Sequence, residues 1–67
     1  MQLWKYTGKE IIVVCKSGRI FTGRCIDYTQ ALDNEPEIDS IGLNVSGVIY
    51  ELYENEIKSI EIIEGTY

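Results

Sequence analysis

The chain has no histidine, one proline, one tryptophan and two cysteines. Histidine is the side chain best suited to general acid–base work near neutral pH, so its absence removes the commonest catalytic base. No nucleophile stands beside a base, no glycine loop has the spacing that cradles phosphate, and no cluster has metal-ligand spacing. The paired carboxylates read as solvated surface neighbours. The sequence predicts a chain that is not an enzyme and takes no cofactor or metal. No apolar run approaches the ~20 residues that cross a bilayer, and MQLWKYTGKE carries no signal-peptide core. A soluble cytoplasmic domain without a membrane partner is expected.

Basic residues are scarce after Arg24. Lys5, Lys9, Lys16, Arg19 and Arg24 oppose only Glu10 in the first 24 residues, giving +4. Lys58 then stands alone against ten carboxylates, giving −9 for the remainder. Two solvated faces would explain this, and so would head-to-tail complementarity between copies. Nucleic-acid affinity rests on phosphate neutralisation by Lys and Arg, so the net charge of −5 argues against it.

What the chain does contain is β-rich. Two apolar runs in Glu10 to Tyr28, EIIVVCKSGRIFTGRCIDY, flank Ser17-Gly18, and Gly23 lies inside the second run. A strand glycine lets a neighbouring backbone approach closely and marks a sharp bend. With 67 residues there is room for one domain, 1–67, burying about 60% of its unfolded surface. Oligomerisation is one available staple for so small a core.

Leu3 to Thr7 reads as one helical turn ended by Gly8, with Leu3, Trp4 and Tyr6 capping a barrel end. The first strand is expected over 10–16, the third over 38–45, the fourth over 48–53 and the fifth over 57–63. Ser17-Gly18 read as a two-residue turn sets Cys15 opposite Ile20, Val14 opposite Phe21 and Ile12 opposite Gly23. The core face is then Ile12 and Val14 with Phe21, Gly23 and Cys25. A bulge near Ile26 or Asp27 returns Tyr28 inward. Cys15 and Cys25 fall on different faces as buried free thiols. The segment Asp33 to Glu37 reads as an exposed acidic loop. Its alternating carboxylates Asp33, Glu35, Glu37 and Asp39 lack the glycine of a calcium loop. The Asn44-Val45-Ser46 sequon means nothing without a secretory signal. Trp4, Tyr6, Tyr28, Tyr50 and Tyr53 read as core and interface packing ahead of a base-stacking platform or a cation cage.

Five short strands without a long helix describe an all-β, strongly bent barrel of the SH3-like or OB type. An apolar strand, Gly18-x-x-x-x-Gly23, Cys25 and Tyr28 resemble the first motif of Sm and Sm-like (LSm) proteins. Val48 to Ile62, with a tight turn before Ile57 and Ile60, resembles the second. The likeness spans residues 9–63 and is greatest to small Sm-like proteins of Gram-positive bacteria and their prophages, whose function is unknown. It implies a five-stranded Sm-fold barrel and a homo-oligomeric ring in which strand four of one copy pairs with strand five of the next. Val48, Tyr50, Leu52, Ile60 and Ile62 would form that interface.

RNA-binding members of the family use Asp and Asn after strand two and Arg-Gly between strands four and five. Here Thr29 or Gln30 stands near the Asp, Asn34 matches only in a lengthened loop, and Glu54-Asn55-Glu56 replaces Arg-Gly. Carboxylates repel phosphate, so the family's RNA residues do not carry over. Tyr28, Gln30, Asn34, Glu54 and Asn55 are retained as candidate RNA or partner contacts. Two functions are expected: a protein-binding scaffold, or an RNA-binding ring whose site has moved to Lys5, Lys9, Lys16, Arg19, Arg24 and the aromatics.

Overall fold

The computed structural model describes residues 2–33 and 37–63. Five strands, β1 (Glu10–Cys15), β2 (Ile20–Thr29), β3 (Ser40–Val45), β4 (Val48–Tyr53) and β5 (Ile57–Ile62), form one antiparallel sheet in the order β4-β3-β2-β1-β5. Short 3-10 turns lie at Leu3–Tyr6, Ala31–Asp33 and Glu54–Glu56. β1 stops at Cys15 rather than Lys16, whose N–H donates to the Glu56 carbonyl at 2.8 Å. β3 starts at Ser40 rather than Ile38, and the carbonyl of Asp39 accepts from Glu54 N–H at 2.8 Å. β5 ends at Ile62, one residue short of the expected limit.

The β1–β2 loop corrects the expected register. Gly18 N–H donates to the Cys15 carbonyl at 2.9 Å, and Cys15 N–H donates to the Arg19 carbonyl at 2.8 Å. Gly18 takes φ +98°, which closes a three-residue loop where two residues were expected. Each β1 residue therefore pairs one place earlier on β2 than expected: Val14 with Ile20, Val13 with Phe21 and Ile11 with Gly23. The slip turns the strand over. Ile11, Val13 and Cys15 enter the core, and Ile12 and Val14 lie half-buried on the outer face. Cys15 and Cys25 belong to one buried cluster, not to different faces, and both thiols are free.

β2 bends at the two places its sequence marks. A Cβ on Gly23 would overlap the backbone carbonyl of Asn44 on β3. Only glycine lets the strands approach this closely. Further along, Cys25 pairs with Leu43 and Asp27 with Gly42, leaving Ile26 as the extra residue of a bulge. The bulge returns Tyr28 to the inner side, opposite Ile41 and packed against the core. The β3–β4 connection is a two-residue turn with Ser46 at φ +51° and Gly47 at φ +89°, the primed geometry that a right-twisted hairpin favours.

β4 and β5 are opposite edges of the sheet, yet three residues join them. Four strand spacings of a flat sheet measure about 19 Å, and the link from Tyr53 to Ile57 reaches at most about 14 Å. The sheet must therefore curl until its edges approach at that end. It does not close, because no β4–β5 ladder forms. The inner face holds Ile11, Val13, Cys25, Ile41, Leu43, Leu52 and Ile57. Leu3, fully buried, seals it from the first 3-10 turn, and Tyr6 packs beside it. Trp4 does not cap the core, since it is 54% exposed.

Candidate functional site

Where β2 ends and β3 begins, one carboxylate ties the loops together. Tyr28 Oη donates to Asp39 Oδ2 at 3.0 Å, and Ala31 N–H donates to Asp39 Oδ1 at 2.7 Å. With its carbonyl engaged by Glu54 N–H, Asp39 links β2, the second turn and the third turn. Asp39 thus departs from the expected row of solvated loop carboxylates. Nothing in the alternation of Asp33, Glu35, Glu37 and Asp39 singles it out. Trp4 meets Tyr28 edge to face, with ring centroids 6.1 Å apart and planes at 68°.

The candidate contacts fall around this end. Tyr28 and Glu54 are half-buried there, while Gln30 and Asn55 are exposed. Asn34 lies outside the described residues, as do Glu35 and Pro36 of the expected acidic loop. Burial, the Asp39 hydrogen bond and the negative charges of Asp39 and Glu54 push the Tyr28 phenol above its ordinary value. The Cys25 thiol is raised as well, first by burial and then by Asp27. Both groups hold their protons more tightly folded than unfolded. Their stabilisation is complete below the unfolded values and is lost as pH rises through the folded ones. The melting temperature should hold steady to about pH 8 and fall beyond about pH 9. Cys25→Ala and Tyr28→Phe should each flatten that decline in melts recorded from pH 7 to 11.

A second feature lies between the β1–β2 loop, β4 and the third turn. It is a groove of about 450 Å³ floored by Cys15, Phe21, Tyr50 and Leu52 and rimmed by Lys16, Arg19, Glu51 and Glu56. Phe21 and Tyr50 stand 5.0 Å apart at 47°, and the Arg19 guanidinium lies 5.7 Å from the Phe21 ring centre. Glu51 accepts the Ser40 hydroxyl at 2.8 Å and Glu56 the Tyr53 N–H at 3.1 Å. Of the five early basic residues only Lys16 and Arg19 line this groove. Arg24 donates to the Gly8 carbonyl at 2.8 Å, and Lys5 and Lys9 are exposed elsewhere. The five aromatics therefore do not share one platform. Trp4–Tyr28 and Phe21–Tyr50 are separate pairs, and Phe21, expected on the core face, was not among those five aromatics.

The expected interface residues all sit on the core-facing side of the edge strands. Val48, Tyr50 and Leu52 pair with Val45, Leu43 and Ile41, and Ile60 and Ile62 pair with Val13 and Ile11. Leu52 is buried and Ile60 half-buried. Val48, Tyr50 and Ile62 are 53%, 39% and 40% exposed, so the inner face runs out into solvent at both edges.

Among the described residues, no group of three or more Cys, Asp or Glu is placed to hold a metal ion. No helix among them is long and apolar enough to cross a membrane. Comparison with protein-family models, with curated proteins and with solved structures gives no match.

Proposed function

We propose that this chain is a non-catalytic, Sm-like interaction module: an SH3-like barrel that self-assembles through β4 and β5, as a ring or a smaller oligomer, and serves as a scaffold for a protein partner. The observation that carries the reading is the state of the two edges. Each edge strand is unpaired on its outer side among the described residues and carries apolar side chains into solvent. Such edges seek partners, and identical head-to-tail contacts between β4 and β5 would satisfy both at once. The curl forced by the Tyr53-to-Ile57 link supports a barrel. The uneven distribution of charge along the chain supports heterologous contacts.

Light scattering tests this directly. The parent chain should have a mass several times that of one copy. Ile62→Lys, at a site already 40% exposed, should yield monomer with an unchanged circular dichroism spectrum. A parent chain that stays monomeric at about 100 μM would remove the reading, since stable assemblies of this kind bind well below that concentration.

An RNA-binding ring with a relocated site is the second reading. Lys16 and Arg19 beside the Phe21–Tyr50 pair favour it. Glu51 and Glu56 on the same rim oppose it, as do Glu54 and Glu56 in the turn where the family places Arg-Gly. Electrophoretic mobility with uridine- and adenine-rich strands should show no tight complex. One that weakened steeply with salt would reverse the preference.

A further inference from the structure

We propose that the Trp4–Tyr28–Glu54 end of the sheet docks a cationic side chain, an arginine or lysine in a basic segment of a partner protein. This rests on reading the chain as a protein-binding module but not on its self-assembly.

Trp4 is 54% exposed in a turn whose neighbouring Leu3 is fully buried, so the indole is displayed from an anchored backbone. Its perpendicular contact with Tyr28 leaves ring faces that neither aromatic covers. Leu32, 80% exposed, projects from the second turn next to Ala31, whose N–H is fixed by Asp39. Tryptophan and tyrosine are the side chains most enriched where binding energy concentrates.

The charge around these rings names the occupant. Asp39 accepts the Tyr28 hydroxyl at 3.0 Å and Glu54 is held to Asp39 by its backbone N–H at 2.8 Å, so two acidic residues stand at the Tyr28 side of the aromatic pair. Glu37, which is exposed, precedes Asp39 by two residues, and Lys5, also exposed, follows Trp4 in the first turn. Electron-rich ring faces beside carboxylates attract a guanidinium or ammonium and repel phosphate. The groups are set before binding. Asp39 is held from two sides, and the third turn is pinned to the Asp39 carbonyl. An arriving side chain therefore orders little of the site, which lowers the entropic cost of capture. The carboxylates that disqualify this end as a uridine pocket are what suit it to a basic peptide.

Trp4 is the chain's only tryptophan, so its emission reports on the site without a label. The probe is a nine-residue peptide of alternating arginine and glycine, titrated at 50 and 200 mM salt. The controls are the same peptide with glutamate for arginine, and oligouridylate. The basic peptide should give a saturable change in emission that weakens severalfold at the higher salt. Glu54→Gln should weaken binding about fivefold to tenfold while keeping the circular dichroism spectrum of the parent. Trp4→Ala, followed by calorimetry, should weaken it at least as much. The proposal is overturned by a basic peptide without saturation, by an equal response to the acidic peptide, by full affinity in Glu54→Gln, or by oligouridylate binding more tightly than the peptide. Light scattering on the same samples separates this inference from the assembly reading. Oligomers that ignore the peptide refute the docking site alone, and monomers that bind it refute assembly alone.

Discussion

Gly23→Ala should cost about 2–4 kcal/mol, because a methyl group there occupies space held by the Asn44 backbone and presses on Val45 Cγ2. Backbone cannot rotate aside as a side chain can, so β2 and β3 must separate or the bend must open. For a domain of this size each kcal/mol moves the melting temperature by about 4–8 °C, so a fall of about 15 °C is expected. Calorimetry or thermal circular dichroism measures it, with Thr22→Ala as the exposed neighbour for comparison. A Gly23→Ala variant melting within about 3 °C of the parent would show that the curvature does not depend on this contact.

Leu43→Ala should be comparably damaging. Leu43 is fully buried in the central part of β3, between Cys25 on β2 and Tyr50 on β4. Removing its side chain loses transfer free energy and leaves a cavity, together about 2–5 kcal/mol. A 67-residue domain has only about 3–10 kcal/mol in total, so the variant should be partly unfolded near 37 °C. Leu32→Ala makes the contrast. At 80% exposure it should change stability by no more than about 0.5 kcal/mol in urea titrations, while lowering affinity for the basic peptide. Equal stability for the two leucine variants would contradict the burial pattern.

Much of the architecture is legible in the chain because its punctuation is unambiguous. Ser46-Gly47 sits between two apolar runs, and it is a two-residue turn with both residues at positive φ. Gly23 and the apolar–polar step at Ile26-Asp27 mark the bends of β2, and both are where the strand deforms. The first hairpin is different. In EIIVVC every residue after Glu10 is apolar, so periodicity has no preferred face and register falls entirely to the turn. Whether Ser17-Gly18 closes two residues or three depends on hydrogen bonds that spacing does not encode. One residue of error there exchanges Ile12 and Val14 for Ile11, Val13 and Cys15.

The candidate site is less legible for a related reason. Tyr28 and Glu54 are suggested by motif position, but Asp39 is one carboxylate in an alternating acidic run. Its role comes from where β2, β3 and the third turn converge, a relation between residues 11 and 15 positions apart in sequence. Phe21 beside Tyr50 is likewise a consequence of curl. The two lie on strands separated by β3 and meet only because the sheet bends.

The pairing of β1 with β5 sets the order of events as the chain emerges from the ribosome. Ile11 waits for Ile62, while every other ladder joins strands that are neighbours in sequence. The first four strands can therefore zip together early, and the meander carries an uncovered β1 flank until β5 has been made. Loop-closure entropy must be met before so distant a contact is rewarded, so the β1–β5 ladder is expected to form last.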